Sequence, residues 1–239
     1  DLFKGYKYTG PSLISPTIYS VNYYDDYTFL GRNGLPDSTD IKVKYEMDAE
    51  IEYGKQCYTT KTMLTGTLTA ILNETLHTVP TYLYSVLYYD DRNRIIQSKA
   101  NNHLGGIEKE YIAYDFISNP LKRKHVHYIE GKPVQNELYT YTYDHAGRLL
   151  TTTHMLNSNS EMLLTNCEFD ELGRLMSNKR NGQSNLITSN TYNIRSWIKT
   201  IQNPLFNQVL YYNDMRTNNT NQPAYNGNVS ATDWLLNST

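Results

Sequence analysis

A seven-residue unit recurs along this chain and constrains its fold more than any other feature. Tyr143-Asp144-His145-Ala146-Gly147-Arg148-Leu149 returns as Phe169-Asp170-Glu171-Leu172-Gly173-Arg174-Leu175 and, more loosely, as Tyr89-Asp90-Asp91-Arg92-Asn93-Arg94-Ile95. Weaker copies start at Tyr114-Asp115 and Tyr192-Asn193, and a degenerate one at Tyr24-Asp25. Positions 90, 115, 144, 170 and 193 are spaced by 25, 29, 26 and 23 residues. A period near 25 suits a unit of two strands of roughly 9–12 residues with their turns.

Each position of the unit has a mechanical use. The aromatic ends a strand and packs across it. The Asp accepts backbone N–H groups two residues on, as an Asx-turn does. Gly147 and Gly173 supply positive φ in the loop, and Asn93 is the next most tolerant residue for it. Arg94, Arg148 and Arg174 start the returning strand within reach of the Asp, and Leu or Ile resumes the buried face. The unit therefore works as a turn, with no chemistry asked of its acid or base.

The rest of the sequence favours strands. In Tyr139-Thr140-Tyr141-Thr142-Tyr143 the rings share one face and the threonines the other. Thr65 to Leu72 and Leu83 to Tyr89 read as further strands, and Asn101-Asn102, Asn157 to Ser160 and Asn181-Gly182 as turns. Tyrosine makes up 23 of 239 residues, against 39% hydrophobic residues in all. Mean hydropathy is -0.62. That composition suits a sheet with much wetted surface better than a thick aliphatic core.

No stretch approaches the ~18 apolar residues of a spanning helix. A net charge of -2 gives no electrostatic footprint for nucleic acid and no polybasic membrane patch. Asp1 to Lys4 does not look like a signal peptide, so a targeting segment is expected upstream or not at all. Cys57 and Cys167, 110 positions apart, form no CxxC motif and are expected as unpaired, half-buried thiols, with a disulfide as the less favoured alternative.

The units resemble the YD repeat of the RHS (rearrangement hotspot) family, whose signature Tyr-Asp-x-x-Gly-Arg-Leu is matched in full by Tyr143 to Leu149. Phe169 to Leu175 matches with Phe for Tyr. Leu64 to Thr67, Tyr88 to Arg94, Asn102 to Gly106, Tyr192 to Trp197 and Tyr225 to Ser230 add to the likeness. It covers residues 60–239 well and 1–60 faintly. The resemblance implies a segment of a larger bacterial protein. In such proteins the repeats build a sheet that spirals into a hollow shell, often around a C-terminal toxin, and surface relatives serve adhesion. The chain departs from a complete member. Its repeats are too few to close a shell, it contains no Asp-Pro-x-Gly cleavage motif, and no toxin domain is expected within these 239 residues, so no toxin activity carries over.

Other chemistry is weighed against plainer readings. His125-Val126-His127 puts two imidazoles on one strand face, but no third metal ligand is identifiable, so ordinary strand histidines are favoured. Asp90, Asp115, Asp144 and Asp170 are carboxylates that recur in every unit, as a turn device would and a single active site would not. Nucleophile-elbow, zinc-protease, phosphate-loop and dinucleotide motifs are missing. Four sequons at Asn73, Asn218, Asn228 and Asn237 read as composition. Trp197, which sits where the repeat has Arg, and Trp234 are the rings that would serve a ligand.

The expectation is an all-β chain of antiparallel hairpins in one curved sheet. Residues 1–60, with Pro11, Pro16 and Pro36, form a less regular β segment at the sheet edge or under its curve, and 61–239 form the repeat sheet. The expected function is non-enzymatic, without cofactor or metal: part of a β-shell or surface scaffold that encloses or displays a passenger. The alternative is a carbohydrate- or surface-binding adhesion module. Expected partners are a downstream passenger or toxin domain, a cell-surface glycan in the adhesion case, and other copies through edge-to-edge pairing, but not nucleic acid. The expected location is extracellular or on a bacterial envelope.

Overall fold

A computed structural model describes residues 4–14, 16–47, 53–72, 81–216 and 221–237. Among the described residues fourteen strands form one sheet in which hydrogen-bonded neighbours follow chain order. They are β1 (Ser20–Asp25), β2 (Thr60–Ile71), β3 (Thr81–Tyr89), β4 (Ile95–Asn101), β5 (Ile107–Tyr114), β6 (Pro120–Tyr128) and β7 (Gln135–Tyr143). They continue with β8 (Leu149–Leu156), β9 (Met162–Phe169), β10 (Leu175–Arg180), β11 (Ile187–Tyr192), β12 (Ile198–Gln202), β13 (Phe206–Tyr211) and β14 (Ala231–Leu236). No α-helix occurs among the described residues. The all-β, antiparallel expectation is met, and the strands read from Thr65, Leu83 and Tyr139 fall in β2, β3 and β7.

The chain divides into two compact units, residues 1–139 with 156–158, and 140–155 with 159–239. The first contains a true core. Val21, Tyr23, Leu68, Val86 and Tyr88 on β1 to β3 pack against Phe29, Leu30, Leu35 and Val43, which come from the irregular stretch after β1. That stretch lies on a face of the strands. The centre of β2 explains how it docks. A Cβ on Gly66 would lie 2.4 Å from the Phe29 ring, so the glycine makes the seat on which Phe29 rests. Phe29 in turn stacks on Tyr23 at 4.3 Å and 5°.

Lys99 on β4 makes the second anchor. Its side chain is 0% exposed. Its ammonium donates to Ile41 O at 3.1 Å and to Lys44 O, and pairs with the Glu46 carboxylate at 3.2 Å. Gln97, two residues earlier on the same face, accepts from Glu46 N at 3.0 Å and donates to Glu46 O at 2.8 Å, as a neighbouring strand would. Glu46 also meets Lys109 and the Tyr111 hydroxyl on β5. Burial pushes the Lys99 ammonium down to about 8, against the opposing pull of Glu46.

The second unit is built differently. Tyr212 is its one buried side chain among the described residues; the strand residues are otherwise half-buried or exposed. Its strands are joined mainly by the ladder of backbone bonds and by the turns described next. One expectation is corrected. The degenerate copy at Tyr24 to Leu30 is not a hairpin turn. Asp26 N bonds Tyr24 O, Leu30 N bonds Tyr27 O, and the chain leaves the sheet instead of returning.

Candidate functional site

The five heptads that begin at Tyr89, Tyr114, Tyr143, Phe169 and Tyr192 fold alike. In each, the first N–H of the acid bonds the carbonyl of the sixth residue, at 3.0 Å for Asp90–Arg94, 3.0 Å for Asp144–Arg148 and 2.9 Å for Asp170–Arg174. The acid's Oδ1 accepts the N–H groups two and four residues on. Asp144 Oδ1 takes Ala146 N and Arg148 N, both at 2.9 Å, and Asp170 Oδ1 takes Leu172 N at 3.0 Å and Arg174 N at 2.8 Å. Oδ2 takes the guanidinium Nε, at 2.7 Å for Arg94 and 2.6 Å for Arg148 and Arg174. Asp115 builds the same turn with Asn119 in the Arg position, and Asn193 with Trp197.

The third residue after the acid is left-handed in all five copies, with φ of 63° at Asn93, 73° at Ser118, 76° at Gly147, 81° at Gly173 and 63° at Ser196. Gly and Asn were legible as such positions; the two serines were not. In four of the hairpins the register also shifts beside the aromatic. Tyr89 faces Ile95, Tyr114 faces Pro120, Phe169 faces Leu175 and Tyr192 faces Ile198, with one extra residue bulged just beyond. Such a recurrent bulge raises local twist.

The turns are coupled to their neighbours. The guanidinium of one heptad lies over the aromatic of the next: Arg94 over Tyr114 at 4.8 Å, Arg148 over Phe169 at 4.7 Å and Arg174 over Tyr192 at 4.7 Å. The ring answers through its hydroxyl. Tyr114 donates to Ile95 O at 3.0 Å, Tyr192 to Leu175 O at 2.8 Å and Tyr212 to Ile198 O at 2.9 Å. Trp197 keeps the pattern without a charge, packing tilted against Tyr212 at 5.0 Å and 39°. Gly173 makes room for the link, since a Cβ there would meet Arg148 Nη1 at 2.7 Å.

This arrangement fixes the acids electrostatically. Asp144 and Asp170 are held below the usual carboxylate range, first by the backbone N–H of Arg148 or Arg174 and then by its guanidinium. Both stay ionised at any physiological pH, and neither is poised to exchange a proton. Asp90, Asp115, Asp144 and Asp170 sit in four separate turns, each committed to its own backbone.

His125 and His127 do share a face of β6, and both engage Glu108 on β5. His125 Nε2 lies 3.0 Å and His127 Nδ1 2.5 Å from its carboxylate, with Glu137 at 3.9 Å from His125. His125, but not His127, lines an open cleft with Glu108, Glu110, Arg123, Glu137 and Tyr139. Among the described residues no group of three or more His, Cys, Asp or Glu side chains is placed to hold a metal ion. Cys57 and Cys167 are free and half-buried.

The two tryptophans have different fates. Trp197 is packed by Tyr212, Arg195 and Gly227. Trp234 is 65% exposed on the edge strand β14, opposite Gln208. No described cleft contains either. Of the sequons, those at 73–75, 218–220 and 237–239 lie wholly or partly outside the described residues.

Two features escaped the sequence reading, and a third was read as a turn without its geometry. The link from each Arg to the next ring joins residues about 20 positions apart, which no local pattern reveals. Asn102 to Gly106 repeats the turn, with Asn102 Oδ1 accepting Leu104 N and Gly106 N and Gly105 at φ 77°. Its spacing of two and four residues from a side-chain oxygen, ending in glycine, was the available signal. Lys99, a lysine amid strand residues, gave no sign of burial.

No family model and no curated protein matches the chain. Among solved structures, the Tc holotoxin pore of Photorhabdus luminescens, in a TccC3 point variant, is similar at 12% identity and a TM-score of 0.35. The match covers 63% of this chain, which spans about 10% of that one. A likeness at this level carries no argument about function.

Proposed function

We propose that the chain is a non-enzymatic structural segment of an RHS- or YD-repeat protein, part of a β-shell or surface scaffold that encloses or displays a passenger. The observation that carries this reading is the use made of the heptads. Asp90, Asp144 and Asp170 each close their own turn, and Arg94, Arg148 and Arg174 at the sixth position tie that turn to the next ring. Residues arranged so extend a wall; they leave no reactive group free. The mechanism is geometric: hairpin follows hairpin, and the wall excludes proteases or holds what lies behind it. On this reading the chain works in the extracellular space or on a bacterial envelope, beside a downstream passenger domain.

The test is limited proteolysis of the full-length polypeptide that contains this chain. The passenger should survive a protease that degrades it in isolation, and become sensitive when Arg148 and Arg174 are both changed to Ala. A full-length chain with no further domain, or a passenger cut equally fast in both proteins, would overturn the reading.

A further inference from the structure

We propose that a groove beside β1 binds a neutral oligosaccharide. Two clefts, of about 410 Å³ and 320 Å³, are both walled by Tyr6 and Tyr24. Their sizes fall in the ~300–1,000 Å³ range of small-molecule sites. Neither ring is needed for the core. Tyr24 is 48% and Tyr6 51% exposed, while Val21 and Tyr23, which alternate with exposed residues on β1, are buried.

The aromatic platform is held firmly. Tyr6 stacks on Tyr23 at 6.3 Å and 29°, and Tyr23 on Phe29 at 4.3 Å and 5°. The Tyr6 hydroxyl donates to Asn22 O, and the Tyr23 hydroxyl to Lys4 O at 2.9 Å. A stacking surface fixed before binding loses little side-chain entropy on association.

Polar groups surround these rings. Asp26 Oδ1 takes the Thr28 N–H at 2.9 Å and hydroxyl at 2.7 Å, which fixes the carboxylate and leaves Oδ2 for a ligand hydroxyl. Asp25 Oδ1 is spent on Thr62 N at 2.5 Å. Arg32 is exposed on the cleft wall and offers a fork of N–H donors. Lys7 lines the second cleft. Two carboxylates and two cations balance, so the groove has no net charge to select an ion. A sugar fits each property: its C–H face stacks on rings, and its hydroxyls both donate and accept. Two adjoining clefts with shared walls suit more than one residue of a linear chain. The proposal is independent of the shell reading, because these residues lie outside the heptad turns.

Calorimetric titration of the intact chain tests it. The probes are cellotetraose, maltotetraose, chitotetraose and mannotetraose, with a heparin tetrasaccharide as anionic control. At least one neutral sugar should bind with a Kd of about 1 mM or tighter. Tyr24→Ala and Arg32→Ala should each weaken it about tenfold or more. Both side chains are exposed, so the circular dichroism spectrum and melting temperature should hold, and Trp234→Ala should bind as the parent does. Heat from none of the neutral sugars, binding of heparin alone, or undiminished binding by folded Tyr24→Ala would each overturn the proposal.

Discussion

Strands β1 to β4 and strands β9 to β12 share the interlocked turn, at Asp90–Arg94 and at Asp170–Arg174, but the first group adds a buried layer to it. The first group buries Leu68, Val86 and Tyr88 beneath a covering stretch that Gly66 seats and Lys99 pins. Among the described residues the second has no such cover and is joined by turns whose acids, arginines and rings interlock. A sheet thus gains its stability either by burying one face, which needs a second layer, or by tying its edge, which needs only repetition. The second solution can be extended indefinitely because each turn contacts only the next.

The sharpest way to break the contrast is to remove equal amounts of side chain from both groups. Leu68→Ala, at a residue 2% exposed, should cost about 2–5 kcal/mol in urea unfolding. Leu163→Ala in half-buried β9 should cost about 1 kcal/mol or less. Equal losses would erase the distinction.

Lys99→Met should destabilise the first unit by about 3 kcal/mol, because the carbonyls of Ile41 and Lys44 lose their donor and Glu46 loses a partner. Amide exchange in residues 41–46 should rise with it, and the turns of the second unit should not change.

The same lysine gives a pH signature. Its folded value of about 8 lies below the ~10.4 of an unfolded lysine. The unfolded chain therefore holds more protons between those values, and stability should rise as pH goes from 8 toward 10. Above about 10 the trend should reverse, since burial pushes Tyr27 and Tyr88 well above the ordinary tyrosine value. Thermal melts across this range should show the rise in the parent and none in Lys99→Met. Asp144 and Asp170 act at the other end. Their lowered values mean that their contribution is present above about pH 4 and is lost as pH falls through the folded values.

Smaller effects sharpen the ladder itself. Arg174→Ala should cost about 1 kcal/mol through its place over Tyr192, and Arg174→Lys should recover less than half, because an ammonium lacks the planar fork. Phe169→Tyr should gain about 0.5–1 kcal/mol by giving Leu149 O the hydroxyl that Tyr114 and Tyr192 give at the matching places. Chemical denaturation resolves both.

The turn at Tyr143 to Leu149 was legible because every restraint in it is local: acid, glycine and arginine lie within five residues. The same holds for the alternating rings and threonines of β7. What joins one turn to the next was hidden, because Arg174 and Tyr192 are distant in sequence and any arginine near any tyrosine looks alike. The covering stretch was hidden for a further reason. Phe29, Val43 and Glu46 follow no period, and their places are set by a missing side chain at Gly66 and a buried charge at Lys99. The resemblance drawn from the heptads reached the hairpins and could not reach the stretch that packs on β1 to β4.

The most direct measurement is residue-resolved amide exchange in Asp170→Ala. If the turns are interlocked joints, Leu172 and Arg174 lose protection first, and Asn193 to Trp197 in the following turn loses it as well. Loss confined to residues 170–174, with the next turn as slow as in the parent, would show that each hairpin stands alone and would contradict the account.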